Sequence, residues 1–221
     1  MKVYKFLEET YAINNLAFRR LKVSRINQLN DPFELLGADL LDLRDRRAFM
    51  ALKNQLDETT GLICFSNTWQ NPVLWGHYAK SHTGIALGFE IPENVLHKVN
   101  YTSKRVAVKF DTATRRVVDG KNVVNKLLRT KFRGWAYEGE YRMYVELDPK
   151  TEEAGSHFVD FSGDLRLVEV MLGMNCKLSK RRVQQLLGDE STNVFIKKAG
   201  MALREYKMTE DRNFRDLEIG T

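Results

Sequence analysis

Glu138 and Glu140 are the residues whose types and spacing most directly suggest chemistry. They stand two residues apart in the run 135–145, WAYEGEYRMYV, whose alternation predicts a single strand. On that strand both carboxylates would point to the same side, about 7 Å apart, together with Arg142. In a cleft, one carboxylate could stabilise a cationic transition state while the other binds a hydroxyl or activates a nucleophile. The same alternation also fits an exposed edge strand that its charges keep soluble.

Trp75, His77 and Tyr78 form an aromatic group in the middle of the chain. Asn71 and Pro72 precede them as an N-cap and a first-turn proline do, so we expect a short helix. On this helix the three rings could stack on a base or another planar ligand. A hydrogen-bonded histidine at an interface would also explain His77.

Cys64 and His77 invite a thiol–imidazole pair, because a catalytic cysteine needs a base within hydrogen-bond reach. Cys64 lies in the apolar run 62–66, however, so we expect a buried and unreactive thiol. The other histidines have no spacing typical of a metal site, and we expect no metal. The chain also lacks a Walker loop and the GxGxxG and GxSxG motifs.

The composition predicts one globular domain over residues 1–221. The chain has 43% hydrophobic residues, no low-complexity linker, and charges within its first ten residues, so we expect a cytoplasmic protein without membrane contact. Its two cysteines are too few for a disulfide framework. The net charge of +6 favours an anionic ligand, such as a nucleotide or nucleic acid, although solvated basic surfaces would give the same charge.

The hydrophobic periodicity predicts an α+β fold, with a mixed or antiparallel β core flanked by short helices. In the strand 85–91, the face that carries Ala86 and Gly88 is almost bare, so we expect a ligand or another backbone to approach it closely. A polar tail begins near residue 211. We expect strands at 1–7, 22–26, 62–66, 85–91, 99–101, 105–110, 135–145, 165–172, 194–198 and 201–206, and helices at 8–20, 40–57, 73–80, 122–133 and 180–187.

Five pieces of the sequence resemble, in order and spacing, the bacterial family catalogued as domain of unknown function 2971. They cover most of the chain and contain the aromatic-Lys, Asn-Asp-Pro-Phe-Glu, Cys-Phe-Ser, Trp-x-His-Tyr-Ala and Tyr-Glu-x-Glu-Tyr-Arg marks of that family. The five pieces are VYKFL, INQLNDPFE, CFSNT, LWGHYAKSHTGIALGFE and WAYEGEYRMYV. The family name itself implies no activity.

Three of these pieces also resemble the ADP-ribosyltransferase superfamily, whose members split NAD at the nicotinamide ribosyl bond. Lys5 stands where that superfamily has a first-strand Arg or His, although lysine cannot reproduce a bidentate contact. Ser66-Asn67-Thr68 resembles the central hydroxyl strand, and Glu138-Gly139-Glu140 resembles the late Glu-x-Glu. The resemblance implies a related fold, NAD as co-substrate and a protein or nucleic-acid acceptor, in defence or stress response.

The resemblance also implies roles for individual residues. Glu140 would stabilise the ribose cation and bind a ribose hydroxyl, and Glu138 would position the acceptor. The remaining candidates would bind substrate: Lys5 at the pyrophosphate or ribose, Ser66 and Thr68 near the ribose, Trp75 or Tyr78 against nicotinamide, with His77 and Arg142 completing the set.

Two other functions fit the same residues. One is a non-catalytic module that binds a nucleotide or nucleic acid in an aromatic and basic cleft. The other is an RNA-processing enzyme, a nuclease or phosphotransferase, in which Lys5, His77 and Arg142 handle a phosphate.

Overall fold

The structure, a computed structural model, describes residues 1–35, 38, 42–111, 113–114 and 116–214. Strands and helices alternate through the first half, and strands dominate the second half. The strands are β1 (Lys2–Leu7), β2 (Arg20–Arg25), β3 (Thr60–Ser66), β4 (Ile85–Glu90), β5 (His97–Lys98), β6 (Asn100–Thr102), β7 (Thr130–Phe132), β8 (Glu140–Glu146), β9 (His157–Asp160), β10 (Arg166–Leu172), β11 (Phe195–Met201) and β12 (Met208–Glu210). The α-helices are α1 (Glu9–Phe18), α2 (Leu43–Thr59), α3 (Pro72–Tyr78), α4 (Gly120–Leu128) and α5 (Lys180–Leu187).

The main sheet is mixed, which confirms the α+β prediction. Its strands follow the order β12-β11-β10-β4-β1-β3-β2-β9, with β8 paired to β3 and β5 paired to β8. The β10–β11 pair is parallel, and the other pairs of this sheet are antiparallel. A separate parallel pair joins β6 to β7.

The sheet forks at β3, and this fork positions the candidate site. One edge of β3 pairs with β8 along its whole length, from Thr60 to Ser66. The other edge pairs with β1 only at Ser66 and with β2 only at Gly61 and Leu62. The residues between these two contacts therefore face an opening between β1 and β2 in the described structure.

The hydrophobic core lies on both faces of the sheet. One face packs against α1 and α5, with Leu16, Leu87 and Val183 fully buried. Two smaller clusters lie on the other face. The first surrounds α3 and includes Phe6, Leu74 and Trp75, and the second packs α2 and α4 through Phe49, Leu62 and Leu127. The fork opens between these two smaller clusters.

The predicted continuous strand 135–145 is wrong in its first half. Residues Arg133–Glu138 form a 3-10 turn, and β8 begins only at Glu140. The break is at Gly139, which has a left-handed φ of 53° that glycine adopts without steric cost. A Cβ at this position would also collide with the side chain of Asn67. Within β8 the predicted alternation holds, because Glu140 and Arg142 share a buried polar face.

Three other predicted elements differ from the structure. Residues 105–110 form only isolated bridges at Val106 and Phe110, because no strand edge lies alongside them. The helix predicted to reach residue 133 ends at Leu128, since Thr130–Phe132 pairs with β6 instead. Residues 202–207 form a turn, and the strand predicted there lies at Met208–Glu210.

The bare face of β4 is covered by side chains and not by backbone. The space above Gly88 is taken by the ring of Tyr4 and the Cβ of Glu169, from the two neighbouring strands. Ala86 on the same face is fully buried. Gly88 therefore makes room for Tyr4, whose hydroxyl donates to Glu169 Oε2 at 3.0 Å. The prediction that a backbone or a ligand lies close to this face is therefore wrong.

The described part of the chain contains no helix long and apolar enough to cross a bilayer. The predicted polar tail falls partly on residues 215–221, which lie outside the described residues.

Candidate active site

A cavity of about 230 Å³ lies in the fork between β1 and β2. We call it the fork cavity. Its lining combines apolar side chains with charged ones, and we call the three glutamates, the arginine and Lys131 the polar wall. The lining residues are Tyr4, Lys5, Phe6, Ser24, Gln28, Leu29, Asn30, Glu34, Cys64, Phe65, Ser66, Leu74, Tyr78, Lys131, Glu138, Glu140 and Arg142. Four of them, Lys5, Ser66, Glu138 and Glu140, come from the three pieces that resemble the transferase superfamily, so these separate stretches meet at one site.

The five charged residues of the polar wall form one buried ion network. Lys131 Nζ lies 2.6 Å from Glu138 Oε2 and 3.0 Å from Glu140 Oε2, so one ammonium bridges the two carboxylates. Arg142 then joins Glu140 to Glu34. All five side chains are at most 7% exposed. Because buried charges of one sign alone are costly, the two cations are what allow three carboxylates to lie together.

Arg142 uses every hydrogen-bond donor that it has. Its Nε donates to Glu140 Oε1 at 2.8 Å, Nη1 donates to Glu34 Oε1 and to the Leu128 carbonyl, and Nη2 donates to Glu34 Oε2 and Glu140 Oε2. An arginine side chain has five N–H groups, and none remains for a ligand. The prediction that Arg142 binds substrate is therefore wrong: the guanidinium holds the carboxylates in place.

Glu140 is held as an anion. Burial by itself would raise the pKa of Glu140, but the Arg142 guanidinium and then the Lys131 ammonium lower this pKa to about 2. Three hydrogen bonds from these two side chains already occupy its oxygens. The Cys64 thiol lies against the same carboxylate. Glu140 therefore supplies a fixed negative charge but has little room for a ligand hydroxyl.

Glu138 differs from Glu140 in the direction of its pKa shift and in its free lone pairs. Burial raises the pKa of Glu138 above its ordinary value, against the opposing effect of Lys131. Tyr78 donates its hydroxyl to Glu138 Oε1, and Lys131 donates to Oε2, so each oxygen keeps a lone pair. The environments push the two pKa values in opposite directions. A carboxylate pair of this kind can divide the roles of charge stabiliser and proton acceptor.

Lys5 contributes a cation that the ion network does not use. It lies in β1 and lines the same cavity as Glu138, and in the described structure its ammonium makes no ion pair. Ser66 lies where three strands meet, paired with Tyr4 of β1 and with Glu140 of β8. The cavity lining therefore contains, beside the carboxylates, a cation that has no ion pair among the described residues.

Three candidate residues lie away from the cavity. Trp75 is fully buried, its ring packs edge-on against Phe6, and its indole donates to the Trp69 carbonyl, so its predicted stacking on a ligand is wrong. Thr68 lies beyond the end of β3, where its hydroxyl accepts from Gln70 N at 3.0 Å. His77 lies on the exposed face of α3, with Nδ1 2.9 Å from the Tyr137 hydroxyl.

The lack of a Cys64–His77 pair agrees with the sequence prediction. Burial raises the pKa of Cys64, and Glu140 raises it further, so the thiolate is disfavoured. His77 bonds to Tyr137 on the protein surface, whereas Cys64 faces the cavity. A thiol–imidazole mechanism has no geometric basis here.

Sequence reasoning missed Glu34, Lys131 and Asn30 as site residues. Glu34 ends the Asn-Asp-Pro-Phe-Glu turn, and Asn30 of the same turn donates to the Tyr78 hydroxyl at 2.7 Å. Lys131 belongs to the basic run 126–133, in which nothing in the sequence distinguishes a buried lysine from exposed ones. The Asn-Asp-Pro-Phe-Glu turn was the available signal, because two chemically useful side chains stand four residues apart in a rigid loop.

Among the described residues, no group of three or more His, Cys, Asp or Glu side chains could hold a metal ion. No protein-family model matches the chain, and neither the curated proteins nor the solved structures provide a match. The site must therefore be interpreted from its own geometry.

Proposed function

We propose that the protein is an NAD-dependent ADP-ribosyltransferase-like enzyme whose reaction takes place in the fork cavity. The observation that supports this proposal is the convergence of Lys5, Ser66, Glu138 and Glu140 on one cavity from stretches up to 135 residues apart in the chain. Chance matches to short motifs have no reason to meet in space. The family and superfamily resemblances belong to the same proposal.

The proposed chemistry follows from the two carboxylates. The bond between ribose C1′ and the nicotinamide nitrogen breaks, and the electron pair leaves with neutral nicotinamide. The ribose that remains has oxocarbenium character, which the fixed negative charge of Glu140 stabilises. An acceptor nucleophile then forms a bond to C1′ and gives its proton to Glu138. The resemblance implies that Glu140 binds the hydroxyl; we assign this role to Glu138 instead, because its oxygens keep free lone pairs.

The size of the cavity limits how much of NAD it can enclose. Pockets for drug-sized ligands are about 300–1,000 Å³, and the fork cavity lies below this range at about 230 Å³. We expect the nicotinamide ribose to enter, with Phe6, Leu29 and Leu74 against the ring. Lys5, which lines the same cavity, would then meet the first phosphate.

The RNA-processing alternative has less support from the geometry. Of the three residues assigned to the phosphate, Arg142 has no free donor and His77 lies outside the cavity. Only Lys5 could serve. The non-catalytic alternative has one observation in its favour, since the saturated bonding of Glu140 is also what a purely structural carboxylate would show.

Incubation of the protein with nicotinamide-labelled NAD tests the proposal. We expect nicotinamide release from the wild type, and a loss of at least about 100-fold in rate for Glu138→Gln, as for removal of a general base. Glu140→Gln should also be inactive. Glu169→Gln is the matched control, because Glu169 is a buried, ion-paired carboxylate outside the cavity.

Circular dichroism and thermal melting must show that each variant is folded. Release of nicotinamide by a folded Glu138→Gln protein at the wild-type rate would contradict the catalytic assignment. Binding of NAD without release by the wild type would favour the non-catalytic module.

A further inference from the structure

The excess positive charge of the chain comes entirely from two segments. Residues 94–110 and 120–137 contain nine Lys and Arg and no Asp or Glu. The rest of the chain has 26 Lys and Arg against 29 Asp and Glu, so it carries a charge of −3. The overall value of +6 therefore hides a strongly basic region within an otherwise slightly acidic protein.

The tertiary structure places these two segments side by side. β6 and β7 pair in parallel, with Asn100 opposite Thr130 and Thr102 opposite Phe132. Of the nine basic residues, Lys131 points inward to the ion network and Arg129 is half-buried, whereas the other seven are exposed. We call these seven exposed residues of segments 94–110 and 120–137 the basic platform.

The charges of the basic platform are not neutralised by the protein. Within the described residues none of its members forms an ion pair, although many other cations do. Lys2 is paired with Glu169, and Arg20 with Glu153, for example. Exposed cations without partners on two adjacent segments attract a polyanion and release its counterions on binding.

Three aromatic residues of segment 120–137 stand in the sequence just before Glu138, which lines the fork cavity. Phe132 is 52% exposed, and Trp135 and Tyr137 are half-buried. The Trp135 and Tyr137 ring centroids are 6.1 Å apart, and the His77 ring is 5.7 Å from Tyr137. These rings belong to the stretch that ends at Glu138 in the cavity wall. Basic residues followed by exposed rings are what a single nucleic-acid strand requires, since its phosphates need cations and its bases stack on aromatic side chains.

We propose that the basic platform and the adjacent rings bind single-stranded nucleic acid and lead it to the fork cavity. Bases in a duplex are stacked and paired, and they would reach Glu138 only after being flipped out. An anionic lipid surface would attract the same cations, so the test below includes vesicles as a competing outcome. That the bound strand is the acceptor of ADP-ribose rests on the proposed function; the binding itself does not.

Fluorescence anisotropy with labelled single-stranded RNA and DNA, at several salt concentrations, tests this proposal. The platform variant is Lys126→Glu with Arg133→Glu, and the matched control is Lys177→Glu with Arg181→Glu, two exposed cations at and before α5. We expect the platform variant to bind at least about tenfold more weakly than the wild type. Its salt slope should decrease by about 1.4, which corresponds to two lost phosphate contacts on a single strand. The control should bind like the wild type.

Three results would overturn the proposal. These are equal weakening by the platform and control variants, equal or tighter affinity for a duplex of the same length, and binding to vesicles that contain anionic lipid but not to nucleic acid.

Nicotinamide release without nucleic acid separates this inference from the proposed function. The platform variant should keep the wild-type rate of release in water, because its changed residues lie outside the cavity. Loss of strand binding with no NAD cleavage by any form supports the docking surface and refutes the enzyme. Unchanged strand binding together with Glu138-dependent cleavage refutes the docking surface alone.

Discussion

Arg142 and Glu34 are 108 residues apart in the chain and form a two-pronged ion pair, with Nη1–Oε1 at 2.5 Å and Nη2–Oε2 at 3.0 Å. The planar guanidinium matches the carboxylate in a way that a single ammonium cannot. Through this pair the loop before α2 is tied to β8, and the polar wall of the fork cavity is closed.

Substitution of Arg142 should destabilise the whole protein. Arg142→Met leaves Glu34 and Glu140 buried without their main partner, which typically costs about 3–5 kcal/mol. Arg142→Lys should recover only part of this free energy, because the lysine ammonium cannot make the planar, two-pronged contact of a guanidinium group. Urea denaturation measures both effects, with Arg166→Met as the exposed control for the loss of a surface ion pair to Glu90. A loss below about 1 kcal/mol for Arg142→Met would contradict the role assigned to it.

Glu140 should make the free energy of unfolding depend on pH in the acidic range. Its pKa is lowered from 4.5 to about 2 in the folded state, so the folded protein releases this proton more readily than the unfolded chain. The resulting stabilisation is present above pH 4.5 and is lost as the pH falls toward 2, in total about 3 kcal/mol. Burial raises the pKa of Glu138, which gives the opposite pH dependence and partly masks the effect in the wild type.

A comparison of the wild type with Glu140→Gln isolates this contribution. The difference in free energy of unfolding between the two proteins should shrink as the pH is lowered from 5 to 2. A difference that stays constant across this range would mean that Glu140 titrates normally.

Tyr78 should tune the protonation of Glu138. Its hydroxyl donates to Glu138 Oε1 and thereby favours the ionised carboxylate, so Tyr78→Phe should raise the pKa of Glu138 further. If Glu138 is the proton acceptor, the acid limb of the pH profile of nicotinamide release should move to higher pH. Tyr206→Phe is the control, because Tyr206 is fully exposed and lies outside the cavity. Equal shifts in both variants would speak against a specific bond to Glu138.

Lys5→Met should weaken NAD binding with little effect on folding. Lys5 makes no ion pair within the described structure, and its removal therefore leaves no buried carboxylate without a partner. We expect at least about a tenfold increase in Kd for NAD by calorimetry, corresponding to the loss of one charge-assisted contact. Nicotinamide riboside, which has no phosphate, should bind the wild type and Lys5→Met with the same Kd. Equal weakening for both ligands would place Lys5 against the ribose.

A side chain at position 139 should destabilise the folded protein. Gly139→Ala forces a left-handed conformation on alanine and also pushes a Cβ into Asn67. Gly155 has a φ of 76° with nothing within 4 Å of an added Cβ, so Gly155→Ala measures the conformational cost alone, about 1 kcal/mol. The first variant should lose at least about 1 kcal/mol more than the second, as measured by urea denaturation. Equal losses would show that the contact with Asn67 relaxes freely.

Several features of this protein follow from local sequence rules. The Asn71–Pro72 start of α3 and the alternation within β8 were predicted because they depend only on neighbouring residues. Glu138 and Glu140 were recognised as candidates by their types and spacing. The predicted reason for their proximity was wrong, however, because Glu138 lies in a turn and not on the strand.

What only the tertiary structure decided is which charges are buried together and which stay in water. Lys131 and Arg133 stand two residues apart with the same charge, yet one bridges two carboxylates and the other is exposed. Trp75 and Tyr78 lie on one short helix, yet only Tyr78 reaches the cavity. The physical reason is that charge pairing and packing depend on partners up to 108 residues away, which the fork between β1 and β2 brings together and local periodicity does not encode.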